Sequence, residues 1–308
     1  MTCTNSTVEL IRALNGSRQF ADDNITLLTP IGSSKINDTY MADTTNGCRY
    51  FIKHHIADTD MDQQSCIKMF EAEVAGLSAL QQTGAFRVPQ TLGIVPVSDG
   101  AFLVTEYIQL QPLSDQKKFG QALAAMHLAK GPDKFGFHID NYIGTTPQLN
   151  SWKESWVDFL YMRLKFQFDQ APFPEEAQRQ AEQLLANLPT FFQDIPNIAP
   201  SIIHGDLWSG NCAADENGEP VVYDPAVYWG HNESELGIMR LFGRFSDELY
   251  EAYHAYIPKA PGFDKRAPIY ELYHLVNHLN MFGVAYLGRC THLLQIISDQ
   301  LAQDMANK

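Results

Sequence analysis

The chain has 308 residues, 45% hydrophobic and 19% charged, enough apolar material for one large domain or two modest lobes around real cores. A net charge of −14 argues against a general binder of nucleic acid or anionic membrane, because phosphate backbones are gripped by clustered Lys and Arg. It leaves room for a small phosphorylated ligand brought into an acidic site by a divalent cation.

In chain order, the N-terminal stretch lacks the basic start and apolar run of a signal peptide, and no window reaches the roughly 18 apolar residues of a membrane span. Five cysteines (Cys3, Cys48, Cys66, Cys212, Cys290) are scattered, odd in number and never spaced C-x-x-C. They argue against a disulfide framework or a zinc site. The expectation is a soluble cytoplasmic protein, a monomer by default.

After one helix, "ITLLTPI" reads as a strand, "GSSKIND" as a turn, and "TYMADTTNGCRYFIKHH" as a hairpin closed by Asn46-Gly47. "SCIKMFEAEVAGLSALQQTG" is a helix with Ile67, Phe70, Val74 and Leu77 on one face and Gly84 at its C-cap. "TLGIVPV", Asp99-Gly100 and "AFLVTEY" form another hairpin. Five strands with one inserted helix imply a small antiparallel lobe over residues 1–106. A hinge follows near 106–111, then a mainly helical lobe over 107–308.

In that second half one β-like interruption stands out, "IIHGDLWSGNCAADENGEPVVYDPAVYWG". His204, Asp206 and Asn211 reproduce the H-x-D-x-x-x-x-N spacing of a kinase catalytic loop, and Asp224 follows a short hairpin. Phosphoryl transfer needs a carboxylate to orient and deprotonate the attacking hydroxyl, oxygen ligands for Mg2+, and a cation on the phosphates. Asp206 fits the first role; Asn211 and Asp224 fit the second. For the third, Lys53 in "YFIKHH" lies on the strand face opposite Tyr50 and Ile52, and Glu73 on the helix could pair with it. Glu71 competes for that place, and helix phase alone does not separate the two. The adenine edge of ATP is assigned to the backbone of residues 106–108, between Glu106 and Ile108.

Other phosphate motifs fail: no G-x-x-x-x-G-K-[ST] and no G-x-G-x-x-G occur. Glu271, His274 and His278 in "ELYHLVNH" could be half of a carboxylate-bridged metal site. The second half is missing, and packing or substrate-side roles are expected instead. Gly205 stands where protein kinases carry Arg, and "DPAVYWGHNESELG" passes into a helix with no long activation segment. Both features favour a small-molecule acceptor.

"HGDLWSGN", "DPAVYWGHNESEL", "GFHIDNYIGTTPQLN" and "YELYHLVNHLNMFG" together resemble the fructosamine (ketosamine) kinase family, over about residues 8–300. The resemblance implies an α+β, two-lobed protein-kinase-like fold shared with aminoglycoside and choline kinases. It implies transfer of the ATP γ-phosphoryl group to a sugar hydroxyl, chiefly O3, of a ketosamine, free or on a glycated lysine, which is a deglycation activity. By analogy it prefers Glu73 over Glu71, after Phe70. One departure is Ser33-Ser34 where the family's phosphate loop usually carries Gly-Gly. Serine restricts φ but adds a hydroxyl donor, so the loop can still serve ATP. For the acceptor, Trp208 is placed to stack on a sugar face and Glu233 to meet the ketosamine ammonium, while Glu235 is expected to be structural. The alternatives are a kinase of another small hydroxyl acceptor, an aminoglycoside or amino alcohol, and a non-catalytic nucleotide-binding module.

Overall fold

The computed structural model describes residues 5–306 except Ala21, Ser34, Lys35, Thr59, Asp60 and Gly243. Helix α1 (Asn5–Asn15) precedes five antiparallel strands: β1 (Ile25–Ser33), β2 (Asp38–Thr44), β3 (Arg49–Ile56), β4 (Thr91–Val97) and β5 (Gly100–Glu106). Their order is β1-β2-β3-β5-β4. With β5 inside the sheet, period two sends its apolar run both ways: Phe102 and Val104 join Leu14, Phe20 and Ile52 on one face, Ala101 and Leu103 meet Cys66 and Phe70 on the other.

Helix α2 (Gln63–Thr83) covers that second face. Asp62 caps it by accepting from the Ser65 N–H at 2.8 Å, and Gly84 ends it in the left-handed region at φ 65°. Phe70 packs under the sheet while Leu77 enters the core of the second half, so one helix is tied to both layers. Burying each of those side chains stabilises by about 2–3 kcal/mol.

Beyond β5 lie α3 (Gln116–His127), α4 (Trp156–Phe168), α5 (Glu175–Asn187), α6 (Glu233–Phe242), α7 (Asp247–His254), α8 (Phe263–Phe282) and α9 (Leu287–Ala306). They enclose one large core containing Phe119, Phe159, Tyr253 and Leu275. Among the described residues, three two-stranded hairpins or ladders cross this half. β6 (Asn141–Ile143) pairs with β7 (Thr146–Gln148), and β9 (Cys212–Ala214) with β10 (Pro220–Val222). β8 (Ser201–Ile203) pairs with β11 (Tyr228–Gly230). The β6–β7 hairpin is a second β interruption that the helical reading of this half did not contain. Its strands are three residues each, too short to carry a periodic signal.

Candidate active site

The loop after β8 starts with a glycine for a steric reason. Gly205 sits at φ 85°, and a Cβ there would lie 2.2 Å from the Ala226 carbonyl oxygen. No side chain fits that approach. The close contact is held by the Ala226 N–H, which donates to the His204 carbonyl at 2.8 Å. His204 is fully buried and neutral, its pKa lowered by burial. Its Nε2–H donates to the Tyr223 carbonyl at 3.0 Å, so the residues before Asp206 and before Asp224 are joined through one imidazole. Glu235, at the start of α6, accepts from the His204 N–H at 2.5 Å and the Gly205 N–H at 3.1 Å. Glu235 thus clamps the backbone of the loop that leads into Asp206.

Asp206, Asn211 and Asp224 meet below the sheet lobe. The Asn211 amide donates to the Asp206 carbonyl at 2.8 Å and to its Oδ2 at 2.9 Å, which leaves the Asn211 Oδ1 facing away from Asp206. Burial pushes the Asp206 carboxyl up to about 7; the Asn211 hydrogen bond works against this, while the nearby Asp224 and Glu235 charges add to it. Asp224 adopts φ 57°, rare for a non-glycine residue.

Lys53 connects the two halves. Its Nζ lies 2.5 Å from Glu73 Oε1 and 2.6 Å from Asp224 Oδ1. Burial alone would discharge this lysine, but Asp224 and then Glu73 more than offset it, so its pKa is raised and it stays protonated. Glu71 is exposed on the other side of α2, which separates it from Glu73 where helix phase could not. Two cavities meet at Lys53, Glu73 and Asp224. One, of about 300 Å³, has mostly apolar walls including Ile31, Phe51 and Leu77, and it reaches Glu106 and Ile108. The other, of about 280 Å³, holds Asp206, Asn211 and Trp208 with Tyr142 and Asn37. An elongated substrate in the first and a second substrate beside Asp206 would therefore face each other across the lysine.

The remaining sequence-derived residues fall in different places. Ser33 ends β1 opposite Asp38 and is exposed, whereas Ser34 lies outside the described residues. The side chain of Glu106 is engaged by Arg87 at 2.7 Å and its N–H by the Gln90 carbonyl at 2.8 Å, so its backbone carbonyl is the group left for a base edge. Trp208 is 39% exposed, its ring lying over Gly210, where a Cβ would come within 2.3 Å of it. Glu233 needs correcting. It is 4% exposed, both its oxygens accept from Arg266 at 2.8 and 2.7 Å, and it does not line the cavity that holds Asp206. An acid already neutralised by a buried guanidinium is not placed to meet an acceptor's ammonium. The Glu271, His274 and His278 trio is a packing group: His278 donates Nδ1–H to the His274 carbonyl at 2.8 Å and stacks on Phe242. Among the described residues no group of three metal-ligating side chains forms a dedicated cation cage.

Sequence reasoning found no role for the "DNYIGTTPQLN" stretch. In the fold Asn141 donates to the Val227 carbonyl at 2.7 Å and accepts from Gln148 and Asn150 at 3.1 and 3.0 Å. Arg163 reaches under the same hairpin to Gln148 and Asn150 and lies over the Tyr228 ring. The hairpin thus fixes the backbone that follows Asp224. No local pattern announces this, since the partners are up to 86 residues apart.

A cationic clamp from a β-sheet lobe, closed on an Asp-Asn-Asp loop in a helical lobe, is the arrangement of the two-lobed, protein-kinase-like phosphotransferases. The solved structure of a putative fructosamine-3-kinase from Haemophilus somnus 129PT superposes with a TM-score of 0.81 at 26% identity, covering 95% of this chain and 99% of that one. The rice (Oryza sativa subsp. indica) protein-ribulosamine 3-kinase, chloroplastic, is 38% identical over 285 residues, 90% of this chain and 79% of its own length. The Mus musculus ketosamine-3-kinase is 35% identical over 298 residues, 87% of this chain and 93% of its own. The sequence profile of the fructosamine kinase family matches residues 9–301, and the chain belongs to that family.

Proposed function

We propose that the chain is a magnesium-dependent kinase that moves the ATP γ-phosphoryl group onto a sugar hydroxyl, O3, of a ketosamine, free or on a glycated lysine. The observation that carries this reading is Lys53, bridged to Glu73 and Asp224 at the junction of two cavities with Asp206 in the second. The adenosine of ATP occupies the apolar cavity, its base against the backbone at Glu106 and Ile108, and the phosphates lie towards Ser33 at the end of β1, with Ser34 kept as a candidate from the sequence. Among the described residues the Ile108 N–H has no backbone partner, which supports its use as a donor to the base.

Lys53 grips the phosphates, and Glu73 holds the lysine in place. Asn211 offers an amide oxygen and Asp224 a carboxylate, hard donors that suit Mg2+ with phosphate and water completing its shell. When bound, the ion neutralises charge on the phosphates. Asp206 orients the acceptor hydroxyl and takes its proton as the oxygen attacks the γ-phosphorus; the bond to the β-phosphate oxygen breaks and ADP leaves. A carboxyl raised to about 7 is a stronger base than a solvated one. Trp208, at the mouth beside Asp206, offers an apolar face to the sugar ring.

Lobes 1–106 and 107–308 close on the nucleotide about residues 106–111. The chain works as a monomer in the cytoplasm. The four described cysteines are all free, which fits a reducing compartment, and no described helix is long and apolar enough to cross a membrane.

The test is ATP consumption with Mg2+ over ribulosamine, fructosamine and erythrulosamine derivatives of lysine, with aminoglycoside and choline as controls. Phosphorus NMR should find the new ester on O3 of a ketosamine, absent with Asp206→Asn. Turnover confined to an aminoglycoside or choline would overturn the acceptor assignment, and Mg-ATP binding without transfer would favour a nucleotide-binding module.

A further inference from the structure

Arg87 lies between α2 and β4, in a stretch with no catalytic signature, yet it joins three separate parts of the molecule. Its Nη2 donates to Glu106 Oε1 at 2.7 Å, where β5 gives way to the hinge. Its Nη1 donates to Asp215 Oδ2 at 2.6 Å, across 128 residues of chain, and Glu216 stands 3.9 Å away at the rim. The backbone of the same residue is also committed. The Arg87 N–H donates to the Pro220 carbonyl at 3.0 Å, and the Arg87 carbonyl accepts from the Val222 N–H at 3.1 Å.

The far side of this contact is the β9–β10 hairpin. Asp215 is 3% exposed, and its Oδ1 accepts from the Asn217 and Glu219 N–H groups at 2.8 and 2.9 Å, so the turn closing the hairpin is stiff. The open end of the same hairpin presents Asn211 just before β9 and Asp224 just after β10. On the near side Arg87 continues the chain from α2, which carries Glu73. Gln111, past the hinge, adds two backbone bonds to Ala214, at 2.7 and 2.9 Å.

An isolated exposed ion pair contributes little to stability. Here one planar fork spans two carboxylates from opposite lobes, one of them buried, on a residue whose backbone is also bonded across the lobes. Such a device acts on relative orientation. We propose that Arg87 is the pivot of the cleft, a positioning residue that sets the sheet lobe against the β9–β10 hairpin so that the Lys53–Glu73 pair meets Asp224. It touches neither substrate.

This inference rests on the cleft being a Mg-nucleotide site, so its test reads nucleotide binding apart from turnover. Calorimetry with Mg2+ and a non-hydrolysable ATP analogue should show Arg87→Ala weakened by about tenfold. The acceptor KM should stay within about twofold, a split that general loosening of the fold would not produce. Arg87→Lys should be intermediate, because one ammonium cannot fork to both carboxylates. Asp215→Asn keeps an oxygen for the turn and should lose affinity like Arg87→Ala, and the double variant should be no weaker than Arg87→Ala alone. If Arg87→Ala fails to fold, Arg87→Lys and Asp215→Asn carry the same comparison. Variants that bind within twofold of wild type, or single losses that add in the double variant, overturn the pivot alone. Wild type that binds no Mg-nucleotide overturns the functional reading and the pivot with it.

Discussion

Replacing Asp206 separates chemistry from binding. Asp206→Ala should cut turnover by a factor of about 10² to 10⁴, roughly 3–5 kcal/mol of barrier, with Mg-nucleotide affinity largely kept. Turnover within a few-fold of wild type would show that another group takes the proton. Asp206, Asn211 and Asp224 were legible one by one because their spacing is local: a strand end, a turn and a hairpin set them within 19 residues. Lys53 and Glu73 were legible as candidates only, and Glu71 stayed beside Glu73 until the fold put one glutamate on the lysine and the other in solvent. Glu233 shows the opposite error. Its position at a helix start is visible in sequence, but the guanidinium that engages it arrives from 33 residues away.

At the scale of elements, the β6–β7 hairpin does work out of proportion to its length. Asn141→Leu fills similar volume but strips the Val227 carbonyl of its side-chain donor and takes one buried amide hydrogen bond each from Gln148 and Asn150, which keep the Ala226 and Ile139 carbonyls. Each buried hydrogen bond lost without replacement costs about 1 kcal/mol or more, so three of them should cost this variant about 3 kcal/mol. Turnover should drop as well, since the backbone released is the one that follows Asp224. Thermal denaturation checks the first part, with Tm expected to fall by about 5 °C or more. An unchanged Tm would mean that the network is dispensable. The strands of the first lobe were easier to read than this hairpin. They run seven to nine residues with turn residues between them, long enough for alternation to show.

For the whole molecule, buried imidazoles set the response to acid. His231 and His274 are both held down to about 3: burial comes first for each, followed by nearby Arg266 and His127 for His231, and by His278 and Arg163 for His274. His204 is lowered too. A histidine depressed in the folded state costs nothing above its unfolded value near 6.5. Below that value the unfolded chain binds the proton and the folded chain does not, so stability is lost as pH falls. Asp206 has the opposite sign: raised to about 7, it favours the folded state as pH falls from 7 towards 4. Glu73 and Glu271, raised by burial, share that sign. Seven depressed imidazoles (those three with His54, His55, His254 and His278) nevertheless outnumber the three carboxyls, so unfolding free energy should drop by about 1 kcal/mol per pH unit between 6.5 and 5. Urea titrations at pH 7.5 and 5.5 measure it, and His274→Gln should blunt the fall. Greater stability at pH 5.5 would mean that the imidazoles are protonated inside the fold.

The amino-acid sequence alone determined the period-two and helical segments, the turns between them, and Asp206, Asn211 and Asp224 as candidates, because each is specified by neighbours a few residues apart. The family motifs carried the rest of the functional expectation on the same local basis. Tertiary structure decided which glutamate meets Lys53, what engages Glu233, what the Asn141 hairpin supports, and that Arg87 spans the lobes. Each of these depends on side chains that are tens of residues apart in the chain and become neighbours only when the sheet lobe, α2 and the β9–β10 hairpin are packed against one another. Hydrophobic burial drives that packing, and local spacing carries no record of the polar contacts it brings together.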